Sequence, residues 1–167
     1  MKDYSIISNS SPLIAFIKKG ELSLLKEIFE KIIIPEAVYN ELTSISEKLK
    51  GKIEILDDAI KNEWIIIEKL KSSKLSDLNL GDGETEAINL CFELNNPFLL
   101  MDEKKGRYIA KSFKINTLGT LGVLILAKKK GLKTNENLLD NLDFLIKNKF
   151  YLSSDVITDF LKKINSI

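Results

Sequence analysis

The sequence predicts an α/β fold in which a central, mainly parallel sheet is covered by helices. Short isoleucine-rich runs alternate along the chain with segments that have the apolar period of an amphipathic helix. This alternation is typical of parallel strands joined by helices. The chain of 167 residues is long enough to bury one core, and it contains no repeat, low-complexity tract or linker. We therefore predict a single domain over residues 1–167.

The chain begins with a strand and two helices. Residues 4–8 predict the strand because they form a short apolar run. Ser11 is a suitable N-cap for the first helix, with Pro12 in the first helical position, and Gly20 marks the end of that helix. The amphipathic segment 22–29 predicts the second helix.

The next part of the chain returns to strands. Three consecutive isoleucines at 32–34 predict a short buried strand, and the segment 35–49 predicts a helix that is opened by a proline. The segment 43–62 is charged, and we expect a further helix within it. Residues 64–67 predict an edge strand. Residues 71–82 have the polar composition of a loop.

The second half of the chain continues the alternation and ends in helices. The predicted helix 121–130 ends in three lysines at 128–130 and is followed by a glycine C-cap at 131. The lysines are better explained as a complement to the helix dipole than as a contact with RNA. The predicted elements are a helix over 83–94, a strand over 98–101, a helix over 104–113, a strand over 115–117, and helices over 121–130, 135–147 and 153–163.

The composition excludes several classes of chemistry. The chain has no histidine, which removes Ser-His-Asp and Cys-His catalysis, histidine-based cleavage of RNA and most transition-metal sites. Cys91 is the only cysteine and is most simply a core residue, and no phosphate-binding glycine loop of the Walker or dinucleotide type is present. The net charge is +1, so no global charge indicates nucleic-acid binding. The chemistry that remains uses carboxylates, and carboxylates favour Mg²⁺ or Mn²⁺ as the cofactor.

Glu84 is the most informative of the candidate acids. At about 100° per residue it projects from the face of its helix that carries Ala87 and Cys91, while Glu86 and Glu93 are predicted to point toward water. A carboxylate that faces a core is costly unless it is paired, hydrogen-bonded or bound to a cation. An acid in the first turn of a helix can also simply complement the helix dipole, and the two explanations have equal weight for this residue alone.

Three further polar residues occupy similar positions. Glu41 lies on the flank of an apolar stripe in its helix, Asp102 directly follows an apolar strand, and Asn9 directly follows the first strand. The carboxyl ends of parallel strands form the usual ligand crevice of an open sheet, so Asn9 and Asp102 are placed where a site is expected. Each residue alone has an ordinary explanation as a surface, turn or loop residue. The prediction of a site rests on all four together.

Five segments of the chain form an ordered series of motifs. They are an opening strand and loop at 7–14, a segment at 34–42 whose closing glutamate is Glu41, a Gly-Glu-x-Glu-Ala-Ile motif at 80–88, a segment at 99–107 similar to Asp-Asp-x-x-x-Arg, and a Gly-Thr-Leu-Gly segment at 118–124. In this order they resemble the motifs of the PIN-domain proteins, in particular the DUF3368 branch, close to the VapC-type toxins. The resemblance covers most of residues 4–131.

The resemblance implies a three-layer α/β/α PIN-like fold and a metal-dependent ribonuclease, in many cases a toxin that is neutralised by an antitoxin. It implies that Glu41, Glu84 and Asp102 are metal ligands and that Glu103, where the family usually has aspartate, is an outer or additional ligand. It further implies that Ser11 and Thr120 orient water or a phosphate. By this reading Arg107 and nearby lysines hold the RNA backbone, although pairing with a carboxylate or simple exposure explains Arg107 equally well.

One departure from the family pattern leaves an alternative open. The pattern usually begins with aspartate where this chain has Asn9, whose amide oxygen can coordinate Mg²⁺ but brings no charge. The alternative is therefore a catalytically weak or inactive PIN-like protein that binds RNA or regulates. A receiver-like domain with a phosphorylated aspartate is a weaker third reading, because the acceptor usually follows an early strand, where Asn9 stands.

Partners and location are predicted on weaker grounds. We expect RNA and an antitoxin protein as partners, and a homodimer. The apolar side of helices 135–163, formed by Leu138, Leu142, Leu145 and Ile146, either closes the core or dimerises. No apolar run is long enough to span a bilayer and the N-terminus has no signal-peptide core, so we expect no membrane partner and a cytoplasmic protein.

Overall fold

The computed structural model describes residues 3–49 and 51–167. It forms two compact units, an N-terminal unit that ends at Leu118 and a C-terminal unit, Gly119–Ile167. The single domain expected over 1–167 stays a prediction. Residues 1, 2 and 50 lie outside the described residues, and so do the parts of the predictions for the N-terminus and for the segment 43–62 that fall on them.

The N-terminal unit contains a five-stranded parallel sheet, which confirms the predicted fold class. Its strand order is β3-β2-β1-β4-β5, and all pairs of neighbours are parallel. Ile7 in the central strand is paired with Ile33 on one side and Leu99 on the other. The strands are β1 Ser5–Ser8, β2 Ile32–Pro35, β3 Ile65–Glu68, β4 Pro97–Leu100 and β5 Asn116–Leu118.

Six helices are found in the described part of the N-terminal unit, close to the predicted spans. The helix expected over 35–49 ends earlier, and a separate 3₁₀ turn, Ser46–Leu49, follows it. The predicted N-cap Ser11 is wrong, because the first helix begins at Ser10 and Asn9 is its N-cap. The helices are α1 Ser10–Lys19, α2 Leu22–Phe29, α3 Glu36–Ser44, α4 Ile53–Lys61, α5 Asp82–Cys91 and α6 Lys104–Ser112.

The C-terminal unit contains helices α7 Thr120–Lys129, α8 Asn135–Lys147 and α9 Ser154–Ser166. Lys128 donates from its ammonium group to the Asn135 side chain and to the carbonyl of Ile164, so this lysine joins the three helices of the unit. Gly131 follows α7 with φ +75°, the left-handed conformation of a helix end. Ile146 was predicted with the apolar side of α8 but is 50% exposed, because at about 100° per residue it lies on the flank of the stripe formed by the buried leucines.

A core cluster of the N-terminal unit lies between α5 and the sheet. Ala87 and Cys91 of α5 are buried there against Ile7 and Leu99, which confirms the predicted apolar face of the helix. Burial raises the pKa of the Cys91 thiol to about 12, so at neutral pH this cysteine is a protonated core residue, as expected. The start of α5 is therefore fixed above the sheet by the packing of its later turns.

The sheet has one topological switch point, between β1 and β4. After β1 the chain adds β2 and then β3 on one side, and β4 and β5 lie on the other side. In open parallel sheets the crevice at the carboxyl ends of two such strands is the usual place for a ligand. No helix in the described ranges 3–49 and 51–167 has the length and apolar character needed to cross a membrane.

Candidate functional site

Asn9 and Asp102 lie at the carboxyl ends of the two strands that flank the switch point. Ser8 at the end of β1 is paired with Leu100 at the end of β4. The pairing continues for one more residue, because the backbone N–H of Asn9 donates to the carbonyl of Leu100 at 3.1 Å. Asp102, half-buried, follows two residues later. The crevice predicted from the strand ends therefore has an amide on one side and a carboxylate on the other.

The side-chain oxygen of Asn9 is the most unusual atom of this crevice. Asn9 is 2% exposed, and its Oδ1 has no hydrogen-bond donor within the described part of the chain. An N-cap oxygen normally accepts from the second or third N–H of its helix, but the third residue of α1 is Pro12, which has no N–H. Buried polar atoms are nearly always satisfied, so this oxygen is available to accept from a water molecule or to bind a cation.

Glu41 reaches the start of α1 from α3. The hydroxyl of Ser10 donates to Oε2 of Glu41, and the backbone N–H of Gly83 donates to Oε1 at 2.8 Å. The carboxylate is thus held between the first residue of α1, next to Asn9, and the second residue of α5, next to Glu84. Ser11 was the serine predicted to act at this site, but Ser10 makes the contact with Glu41.

The helices α3 and α5 satisfy each other's first turns. Their N-cap residues, Pro35 and Gly81, have no side-chain acceptor, so each helix begins with unsatisfied N–H groups. Glu41 of α3 accepts from Gly83, and Glu86 of α5 accepts from the N–H of Ala37 in α3 at 3.0 Å. The prediction that Glu86 points toward water is wrong, because the face of α5 that carries it lies against α3.

Glu84 uses one carboxylate oxygen at the start of its own helix. Its Oε2 accepts from the N–H of Gly81 at 2.9 Å, and its side chain is half-buried. This contact is the reach-back half of a capping box. The explanation of Glu84 as an acid of the first helical turn therefore holds for one oxygen, and its role as a metal ligand stays a prediction.

Glu103 is the N-cap of α6. Its carboxylate accepts from the backbone N–H of Gly106, and its carbonyl accepts from the N–H of Arg107 at 3.0 Å. Both contacts satisfy the first turn of the helix. Arg107 is half-buried on the same turn. The predicted roles of Glu103 as an additional ligand and of Arg107 in backbone binding are neither supported nor contradicted by these contacts.

The loop before α5 is attached to that helix by two side chains that the sequence did not single out. Asn89 is 1% exposed, and it accepts from the N–H of Leu75 at 2.8 Å and donates to the Leu75 carbonyl at 3.0 Å. Glu93 accepts from the N–H groups of Lys71 and Ser72 at 2.9 Å. These contacts of Glu93 are solvent-exposed, so the prediction that Glu93 points toward water is not contradicted, but its contact with the loop was not predicted. Together the two residues fix the path of the chain into Gly81.

The predicted acids do not form one ready-made cluster. Within residues 3–49 and 51–167, no three histidine, cysteine, aspartate or glutamate side chains are grouped so that they could hold a metal ion. Instead, one hydrogen bond joins Ser10, the residue after Asn9, to Glu41, and another joins Glu41 to Gly83 at the start of α5. Thr120 is buried in the first turn of α7, within the C-terminal unit.

A cleft of about 640 Å³ lies between α3, α5 and the loop that precedes α5. Most of its lining side chains are polar, and four of them are acids. It offers room for a cationic or hydrogen-bonding group beside Glu41. The acids are Glu36, Glu41, Asp82 and Glu86, and the other lining residues are Ala37, Asn40, Ser44, Leu70, Ser73, Thr85 and Asn89.

Comparison with known proteins agrees with the fold. A family model described as DUF3368, PIN domain, matches residues 5–166. No curated protein matches the chain. Among solved structures, the chain is similar to a PilT N-terminus domain protein of the hyperthermophilic archaeon Sulfolobus solfataricus P2, with a TM-score of 0.51 and 24% sequence identity, over 72% of this chain and 90% of that one. At this identity the likeness shows the fold.

Proposed function

The chain belongs to the PIN-domain family, in its DUF3368 branch, and we propose that it is a metal-dependent ribonuclease that hydrolyses phosphodiester bonds in RNA. Proteins of this family are generally nucleases and generally use divalent metal ions. The observation that carries the proposal for this chain is the buried Oδ1 of Asn9, which has no donor among the described residues and lies at the switch point, where β1 pairs with the strand that precedes Asp102.

The residues at the switch point fit a hard divalent cation. The amide oxygen of Asn9 lacks a donor, and Mg²⁺ and Mn²⁺ take carboxylate, amide and water oxygens as ligands. In this proposal the ion draws together Asn9, Glu41, Glu84 and Asp102, whose three acids are not grouped for metal binding in the described residues, with Glu103 as an outer or additional ligand. A bound ion of this kind lowers the pKa of water and stabilises the charge that develops on an attacked phosphodiester.

The other residues of the proposed site orient these groups and the substrate. Ser10 and Gly83 fix the two oxygens of Glu41, so the direction of that carboxylate is set before any ligand binds. Ser11 would orient water or a phosphate. Arg107 and nearby lysines would hold the RNA backbone through contacts with its phosphates.

The direct test is cleavage of RNA by the purified protein with Mn²⁺ present. We expect cleavage with Mn²⁺, none with EDTA, and none for Asp102→Asn, which removes a charge while keeping the size of the side chain. Activity that persists in EDTA, or an Asp102→Asn variant as active as the natural protein, would contradict the metal mechanism.

A second candidate function is a weakly active or inactive PIN-like protein that binds RNA or regulates. The observation that favours it is the neutral Asn9 in the position where the family usually has aspartate, which lowers the negative charge available to a cation. In this case Asn9→Asp should switch on or strongly raise RNA cleavage. Tight Mn²⁺ binding and full activity of the natural protein would exclude this candidate.

The partner proposal is a toxin in the cytoplasm that is neutralised by an antitoxin and acts as a homodimer. Leu139 and Ile146, seven residues apart on α8, are 47% and 50% exposed, and the homodimer proposal places them in the interface. The test is the molecular mass in solution of the purified protein compared with Leu139→Lys. An unchanged monomer in both would contradict the homodimer.

A further inference from the structure

Gly83 stands where a side chain from α3 meets the start of α5. It is the second residue of α5, and its N–H donates to Oε1 of Glu41 at 2.8 Å. A Cβ built on Gly83 would lie 2.7 Å from both Cδ and Oε1 of Glu41, and it would contact Oε2 even more closely. Separations under 3.0 Å are essentially never seen for a real Cβ. The carboxylate of Glu41 therefore occupies the space that any other residue at this position would fill.

The backbone does not explain the glycine. Gly83 does not have the positive φ that favours glycine, and glycine inside a helix is less stable than alanine. The benefit of glycine here is room for the carboxylate and direct access to the N–H. A methyl group at this position would displace the Glu41 carboxylate, and the displacement would change the hydrogen bonds that this carboxylate accepts from Ser10 and Gly83.

We propose that Gly83 is a positioning residue, whose N–H and missing side chain together aim the Glu41 carboxylate toward the switch point. The role of the aimed carboxylate in metal binding rests on the proposed function above. The contact between Gly83 and Glu41 is a feature of the structure and does not depend on the proposed function. Gly83 acts through Glu41 and has no contact of its own with substrate or metal.

Gly81 provides a matched control two residues away. It is the N-cap of the same helix, and it also has a backbone that other residues adopt, with φ −64°. A Cβ on Gly81 would lie 3.5 Å from Oε2 of Glu84, which is an ordinary van der Waals contact. Gly81→Ala therefore adds the same methyl group to the same helix start without displacing Glu41.

The experiment compares Gly83→Ala and Gly81→Ala, each made in the natural chain and in the Glu41→Asp background, by calorimetric titration of the full chain with Mn²⁺. We expect Gly83→Ala to weaken Mn²⁺ binding by about tenfold or more, the range typical of residues that orient metal ligands. Gly81→Ala should change it less than about twofold. In the Glu41→Asp background, whose shorter side chain leaves room for the methyl group, the effect of Gly83→Ala should disappear. An equal loss in both backgrounds, or an equal loss from Gly81→Ala, would overturn the proposal.

Thermal unfolding in EDTA separates this proposal from the proposed function. Gly83→Ala should lower Tm in the natural chain and leave it nearly unchanged in the Glu41→Asp background. If the natural protein binds no Mn²⁺ but this difference is seen, the metal site fails and the positioning role stands. If Gly83→Ala does not fold, recovery of the fold by Glu41→Asp supports the proposal. Failure of Glu41→Asp to restore the fold or the Tm overturns it.

Discussion

The starts of α3 and α5 are alike in their bonding and different in their surroundings. Each follows an N-cap without an acceptor side chain, and in each the second N–H is satisfied by a glutamate of the other helix, Glu86 for α3 and Glu41 for α5. Within the described residues, only Glu41 of the two also accepts a hydrogen bond from a hydroxyl group, that of Ser10 beside the buried Asn9. The comparison shows that the same kind of contact stabilises the start of each helix, and that at α5 it also joins the helix, through Glu41, to the first residue of α1.

The largest expected difference is in catalysis. Glu41→Gln and Glu86→Gln both remove a charge and keep a side-chain oxygen that can accept from the backbone N–H. We expect Glu41→Gln to reduce RNA cleavage by about a hundredfold or more, since it removes a charged ligand and not only an outer contact. Glu86→Gln should stay within about threefold. Initial rates with Mn²⁺ measure both, and equal rates for the two variants would break the distinction between the two helix starts.

The second prediction concerns the different routes by which the chain enters the two helices. The chain reaches α3 directly from β2, whereas it reaches α5 through a loop that Asn89 holds at Leu75. Asn89→Ala leaves two backbone groups of Leu75 without partners and should destabilise the protein by about 2 kcal/mol.

Urea unfolding measures this loss, and amide hydrogen exchange shows where it acts. Exchange should accelerate at Gly83 and much less at Ala37. If both amides accelerate equally, the loop does not specifically support the start of α5.

The third prediction concerns Asn9, the neutral residue next to Ser10, which donates to Glu41. Asn9→Asp adds a negative charge at the switch point and should raise Mn²⁺ affinity by about tenfold, or ~1.4 kcal/mol. In EDTA the same variant should be less stable than the natural protein, because a buried carboxylate without a cation is costly. An affinity that does not change would show that the oxygen of Asn9 does not face the cation.

The smallest expected effect is on the stability contributed by Glu86 at the start of α3. Glu86→Ala removes the acceptor for the N–H of Ala37 and should lower the free energy of unfolding by about 1 kcal/mol, as for other lost helix caps. The affinity for Mn²⁺ should stay unchanged. Chemical denaturation and calorimetry on the same sample check both, and a weaker Mn²⁺ affinity would assign Glu86 to the site as well.

Local patterns in the sequence were sufficient to predict the strands, most helix spans and the placement of Asn9 and Asp102. Strand ends are readable because apolar runs stop at polar residues, and parallel strands bring those ends to one edge. The roles of Glu86 and Glu93 were not readable, since a helical period gives the face of a side chain but not the neighbouring segment that covers it. An N-cap without an acceptor side chain, as at Pro35 and Gly81, is the signal that a partner glutamate was needed.

The error at Ser11 has a similar cause. Serine before proline is a common start of a helix, but α1 begins two residues earlier than this pattern predicts. The shift puts Asn9 at the N-cap and brings Ser10 instead of Ser11 to Glu41. Which of two adjacent serines makes the contact depends on the packing of α3 against α1, and local sequence preferences do not contain that information.

In the proposed metal site, the buried oxygen of Asn9 would also link folding to the ionic composition of the solution. A buried acceptor without a donor destabilises the folded state by about 1–3 kcal/mol, and a ligand that satisfies it only in the folded state restores that stability by mass action. At a free concentration about 100 times its Kd, such a ligand adds about 2.7 kcal/mol. The Tm of the protein would then rise with the concentration of that ligand, and it would rise only for ions that this oxygen binds.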